Sequence, residues 1–279
     1  HHSSLGLIIN SKRIYFFFLL IFGIFSLGLS SIIFRLMDAP SLMVASYRMM
    51  GASIVILPFC FNDLINSWKG LSFQKRKTLV LSSIVLGVHF LLWFESLKHT
   101  SIASSVVLVT LNPIFVSLGG YFFLKEKEGK KIWIGILITI IGVLLICIDD
   151  FTYWDSKNLY GDSLALIGGL MFSIYLLAGR SLRSTMPFLP YITFCYGVSG
   201  VFLFLLLLCT GFPPVTYSSY FYFYLIMMIV FPTLIGHTII NYALRRITSG
   251  KVALCILGEP CVSILLGAII FKEFVSYEK

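Results

Sequence analysis

The sequence predicts an all-α polytopic membrane protein, built as an inverted repeat of five transmembrane helices in each half. Three observations predict it: the chain is too apolar for water, it divides into apolar runs of spanning length, and one motif set recurs at a single offset. Of 279 residues, 58% are hydrophobic and only 12% charged. Soluble domains carry about 25% charged residues, so this surface is not built for water, and lipid has to replace it. The net charge of +9 is scattered between the apolar runs, which excludes a nucleic-acid surface. The six cysteines lie in or beside those runs without metal-ligand spacing and read as packing residues.

A helix crossing ~30 Å of hydrocarbon needs roughly 20 apolar residues. Nine stretches qualify or nearly so: Ile14–Phe34, Leu42–Phe61, Leu79–Phe94, Ile102–Leu124, Ile132–Ile148, Ser163–Gly179, Tyr191–Thr210, Phe221–Leu244 and Val252–Phe271. They are continuous rather than alternating, which excludes a β-barrel. Gly211-Phe212-Pro213-Pro214 separates the seventh from the eighth. With the N-terminus inside, fifteen Lys and Arg fall in inside segments and five in outside ones, the asymmetry expected of a cytoplasmic N-terminus. Tyr153-Trp154 and Tyr217 through Tyr224 read as interfacial aromatics.

Leu97-Lys98, Asn112-Pro113 and Lys125-Glu126 recur as Leu244-Arg245, Glu259-Pro260 and Lys272-Glu273, each 147 residues on. The unit holds five spans. An odd number makes the second copy enter the membrane from the opposite side, the plan of secondary transporters with a midplane site between halves. The first repeat is placed at 14–148 and the second at 159–279, with a tenth span expected beyond Lys279.

Strongly polar groups at membrane depth cost roughly 2.5–3.5 kcal/mol each on insertion scales, so each needs a reason. His89 and His237 are near-equivalents across the repeat, 24 and 23 residues before Pro113 and Pro260. Trp93 and Asn241 follow them by one helical turn, on the same helix faces. Asn112 and Glu259 sit beside prolines that interrupt the fourth and ninth spans. Arg48 lies inside the second span, where Glu259, Glu95 or the interface are its possible partners. Tyr47 and Tyr175 are deep enough to form a cavity wall. The repeated Lys-Glu pairs read as helix-end charges at the headgroups, without chemistry. No span carries an Asp pair, and neither intramembrane His lies in a zinc-type cluster, so an enzyme is not expected. No Walker loop is present, so nucleotide is not the direct drive.

The stretches from Ser96 to Ala103, Leu111 to Val116 and Gly236 to Leu244, together with Leu257-Gly258-Glu259-Pro260, both Lys-Glu pairs and Tyr47-Arg48, resemble EamA-type permeases of the drug/metabolite transporter superfamily. The resemblance implies a two-times-five inner-membrane permease whose cavity is formed by spans one, three, four, six, eight and nine. It implies a small-molecule substrate, amino acids being the first class and export the direction, with cationic drug efflux as the alternative. His89, Trp93, Asn112, His237, Asn241, Glu259, Tyr47 and Tyr175 are the substrate-binding candidates, and Arg48, Pro113 and Pro260 the structural or gating ones. No cofactor or metal is expected. The lipid bilayer is the standing partner, protons are a candidate coupling ion, and monomer and dimer stay open.

Overall fold

The computed structural model describes residues 2–153, 156–182, 184–213 and 218–273, with side chains described from 14 onward except 143, 144 and 146–153. Within them the chain is helical throughout: α1 (His2–Met37), α2 (Ser41–Ile56), α3 (Phe61–Gly70), α4 (Phe73–Ser96), α5 (Ile102–Val109), α6 (Asn112–Leu124), α7 (Lys130–Tyr153), α8 (Ser156–Leu182), α9 (Phe188–Cys209), α10 (Ser219–Met228), α11 (Thr238–Leu244), α12 (Ser249–Ile256) and α13 (Gly258–Phe271). A π-helix, Ile229–His237, joins α10 to α11 without a break.

Eight segments among the described residues are long and apolar enough to cross a membrane. They fall on the expected spans one to four and six to nine. The expected fifth span falls on α7, whose 24 residues rise about 36 Å. Exposed side chains are largely apolar, among them Phe17, Phe18 and Phe22 on α1, Leu137, Ile138 and Ile141 on α7, and Leu265 and Ile269 on α13. Such a coat suits a hydrocarbon surround and not water. Of the expected interfacial aromatics, Trp154 and Tyr217 lie outside the described residues, as does the side chain of Tyr153. The expected tenth span also lies outside them.

The fourth and ninth spans are each two helices, not one kinked helix. α5 is capped by Ser101, whose hydroxyl accepts the Ser104 N–H at 3.1 Å. It ends at Val109, and α6 begins anew with Asn112-Pro113 in its first turn. Proline is harmless there, because first-turn N–H groups have no intrahelical acceptor. α12 and α13 repeat the arrangement, with Glu259-Pro260 in the first turn of α13.

The repeats run in opposite directions. The first N–H of α5 reaches Glu273, just beyond the C-terminal end of α13, and the first N–H of α12 reaches Glu126, just beyond the C-terminal end of α6. Equivalent spans are therefore antiparallel. Packing obeys the same twofold relation: α4 lies along α8 as α1 lies along the α10–π–α11 span, and α5/α6 meet α8 as α13 meets α1. α2 and α9, equivalent spans of the two repeats, pack against each other, and Met43, Val44, Met49 and Ala52 on α2 and Ile192, Cys195 and Leu203 on α9 are buried. Gly200 permits that approach, since a Cβ there would stand 2.6 Å from the Met50 amide nitrogen.

Candidate functional site

Between the repeats, near the breaks in the fourth and ninth spans, a narrow cavity is lined by Leu27, His89, Trp93, Asn112, His237 and Glu259 with Val109, Thr110, Phe172 and Ile256. Its volume is about 10 Å³, enough for one water. The space is too small for a metabolite, and its walls have to separate to admit anything larger than water.

One wall is a run of stacked rings. The His89 imidazole lies between Trp93, 6.1 Å away, and Phe172, 4.7 Å away, and Phe172 stacks on Tyr175 at 6.0 Å. His89 Nδ1 is 2.9 Å from the Gly168 carbonyl. A carbonyl only accepts, so Nδ1 carries the hydrogen, and the neutral ring has its lone pair on Nε2. His237 stands edge-on to Phe172 at 5.6 Å and to Phe90 at 5.0 Å. Both imidazoles thus flank the same aromatic cluster.

The polar groups at this site are conspicuously unpaired. Trp93 Nε1 and both amide atoms of Asn112 are buried with no hydrogen-bond partner. Glu259 is 7% exposed and makes no ion pair among the described residues. Buried polar groups in native proteins are nearly always satisfied. Two donors, an amide acceptor and a carboxylate thus gather at one small cavity with hydrogen-bonding capacity that the neighbouring described residues do not use.

The other candidates stand elsewhere. Tyr175 donates from its hydroxyl to Asn241 Oδ1 at 2.8 Å, and Asn241 Nδ2 donates to the His237 carbonyl at 2.8 Å. These two lie behind the cavity wall, because their polar atoms are consumed in tying α8 to α11. Tyr47 packs toward Phe204 on α9, 6.2 Å between rings, because its face of α2 turns to the α2–α9 seam. Pro113 and Pro260 are helix starters beside the cavity, and neither lines it.

Arg48 is fully buried, and the carboxylate contact considered for it does not form. Its Nε donates to Thr233 Oγ1 at 3.0 Å and its Nη1 to Ser30 Oγ at 3.1 Å, while its Cζ sits 4.3 Å over the Phe90 ring. It interacts with Glu259 electrostatically, without contact. Thr233 in turn donates to the Met228 carbonyl, five residues back in the π-helix. Glu95 is far from all this: at one membrane face it accepts from Ser41 Oγ at 2.7 Å and pairs with His99 and Lys98.

Phe172, Thr110 and Thr233 were not singled out by sequence reasoning. Phe172 and Thr110 are apolar-run residues like dozens of others, whereas Pro232 next to Thr233 was a legible sign of an irregular turn.

A crystal structure superposes on this fold with a TM-score of 0.70 at 14% identity, covering 93% of this chain and 89% of the other, a likeness of fold. An uncharacterized transporter of Archaeoglobus fulgidus is 24% identical over 78% of this chain and 75% of its own length. The uncharacterized transporter YyaM of Bacillus subtilis is 26% identical over 78% and 72%. A protein of Hamiltonella defensa described as a probable 4-amino-4-deoxy-L-arabinose-phosphoundecaprenol flippase subunit ArnE is 38% identical over 29% of this chain and 74% of its own length. The sequence profile of the EamA-like transporter family matches residues 14–148 and again 159–278, and the chain belongs to that family of membrane transporters.

Proposed function

We propose that this protein exports a small metabolite bearing a positively charged amine, amino acids being the first class, by alternating access around the cavity. The family resemblance supports the inner membrane as its place, and the Lys and Arg asymmetry supports a cytoplasmic N-terminus. One observation carries the cargo class: Glu259 is buried at the cavity with no ion pair among the described residues, beside the open donors Trp93 Nε1 and Asn112 Nδ2. An ammonium satisfies the carboxylate, a carboxylate or carbonyl on the cargo satisfies the two N–H groups, and the ring stack takes an apolar portion. His89, through Nε2, supplies a further acceptor. The amino-sugar carrier named for the Hamiltonella relative is also an amine, which supports the reading. Glu259, His89 and His237 are the groups able to carry a coupling proton.

The test is counterflow in proteoliposomes. Vesicles preloaded with unlabelled amino acids that raise the melting temperature of the purified protein should accelerate uptake of the labelled compound. Glu259→Gln should remove that acceleration while the protein stays folded. If no amine-bearing metabolite shifts the melting temperature or exchanges, the proposal fails. The aromatic stack beside a lone carboxylate also favours a second reading, efflux of cationic drugs. Drug resistance unchanged by Glu259→Gln, with metabolite flux abolished by His237→Ala, decides for the metabolite.

A further inference from the structure

Each end of the bundle carries an arginine–glutamate contact between the repeats, and the two contacts are images of one another. At one face, the Arg180 Nε donates to Glu126 Oε1 at 2.5 Å and its Nη1 to the Leu244 carbonyl at 2.6 Å. Glu126 Oε2 accepts the Ser249 hydroxyl at 2.6 Å and the Ser249 N–H at 3.2 Å. At the opposite face Arg35 pairs with Glu273 Oε1, and donates to the carbonyls of Leu97 at 3.2 Å and Thr100 at 2.7 Å. Glu273 Oε2 accepts the Ile102 N–H at 3.1 Å. Positions 97, 102 and 126 become 244, 249 and 273 on adding 147.

The division of labour between repeats is the informative part. Arg180, Leu244 and Ser249 all belong to the second repeat, and Glu126 comes from the first. Arg35, Leu97, Thr100 and Ile102 all belong to the first, and Glu273 comes from the second. Each repeat therefore builds a socket at one face and sends a carboxylate plug into the other repeat's socket. Each plug is placed by a left-handed residue that ends its helix, Lys125 with φ 55° and Lys272 with φ 56°. The N–H of Glu126 then closes on the Gly120 carbonyl, and that of Glu273 on the Gly267 carbonyl.

We infer that Glu126 and Glu273 are the two gate latches of this transporter, released one at a time. The inference rests on the cavity being the transport site. α6 and α13 are rigid levers of 13 and 14 residues, about 20 Å long. Each starts beside the cavity, at Asn112 or Glu259, and ends at a latch. The levers are antiparallel, so the latches lie at opposite faces. Cargo that engages Asn112 and Glu259 acts on the cavity end of both levers, and the cavity opens to whichever face lets go. In this structure both plugs are seated. The Arg180–Glu126 side chains are 10% and 14% exposed and those of Arg35–Glu273 20% and 32% exposed, so the second latch is the more water-weakened.

Hydrogen–deuterium exchange of the full chain in lipid nanodiscs tests this. Glu126→Ala should speed exchange of the amides around Ser249 on the order of tenfold, the effect of losing a charge-assisted bond. It should also slow exchange around Ile102, as the population shifts to the form latched at Glu273. Glu273→Ala should do the reverse. Glu126→Gln and Glu273→Gln keep the side-chain shape, and should give the same reciprocal pattern more weakly, so a misfolded alanine variant does not decide the matter. A purely structural bond would loosen its own face without protecting the other, and that result overturns the inference. Wild-type counterflow separates the two readings: cargo exchange without the reciprocal pattern sinks the latches alone, and the reciprocal pattern without exchange of any cargo sinks the transport site.

Discussion

Gly169 on α8 should be irreplaceable even by alanine, because it lies against the backbone where α5 ends. An added Cβ would stand 2.5 Å from the Val109 carbonyl oxygen, 3.1 Å from its carbon and 3.3 Å from its Cα. Ordinary contact begins at 3.4 Å, so α8 has to retreat by roughly 0.9 Å. No rotamer change relieves the clash, since every contacting atom is main chain, and overpacking of this kind costs about 1–3 kcal/mol. The adjoining residue, Gly168, holds His89 in its tautomer at 2.9 Å, so the same retreat loosens the cavity wall. Thermal unfolding of Gly169→Ala in detergent should fall by about 2–4 °C for each kcal/mol lost, and counterflow should slow. Gly142→Ala is the matched control, because a Cβ there meets nothing within 4 Å. If the two variants melt alike, the close approach of α8 to the α5 terminus is not what positions the site.

Arg48→Lys should not substitute for arginine, because a single ammonium cannot serve Thr233 and Ser30 while lying flat over Phe90; a melting loss equivalent to about 1.5–3 kcal/mol is expected, and wild-type melting would refute it. Asn241→Leu should lower the melting temperature and leave the cargo KM unchanged, since Asn241 is tied to Tyr175 and the His237 carbonyl; combined with Tyr175→Phe the loss should be less than additive. Burial alone would raise the Glu126 pKa, yet hydrogen bonds from Ser249 and Arg180 outweigh it and hold it below the ordinary 4.5. A depressed carboxylate stabilises its contact above the ordinary value and loses that contribution as pH falls through the depressed one. The difference in exchange protection between wild type and Glu126→Gln should therefore be flat from about pH 8 to pH 6 and vanish only in acid; a change near neutrality would refute it.

The spans and their inversion were legible because hydrocarbon demands long apolar runs and the repeat left three motifs at one offset. The π-helix was not, because Ile229–His237 is as apolar as its neighbours and only Pro232 marks it. Nor was α3 legible, since its Trp68 is held by stacking on Phe194, more than a hundred residues away. In the site, helical spacing put His89 and Trp93 on one face of the third span, and both line the cavity. The same spacing put Asn241 with His237, yet Asn241 turned to α8. Spacing says which residues share a face and not which neighbour that face meets. Tyr47 missed for the same reason. The Lys-Glu pairs, read as charges at the headgroups, are a correction of another kind. The plug is visible in one repeat, but the socket that gives it work is assembled only by folding the other repeat over it.

Twofold symmetry would make the two open states equal in energy, so any preference for one open state has to come from where the repeats differ. The backbones of the two levers hardly differ: both carry a polar residue and proline in the first turn and end at a left-handed lysine followed by a glutamate. The chemistry does. Asn112 presents a neutral amide where Glu259 presents a carboxylate, so an ammonium engages one lever far more strongly than the other. The latches differ as well, the Glu126 contact being the better shielded from water. A ligand moves such an equilibrium only by its differential affinity for the two states. Cargo with an ammonium pulls chiefly on α13, the lever that carries Glu273, so loading should unseat Glu273 first and open the cavity to the face where Arg35 lies. On the proposed topology, with the N-terminus cytoplasmic, that face is the outer one, so an outward-opening step on loading is what the proposed export requires.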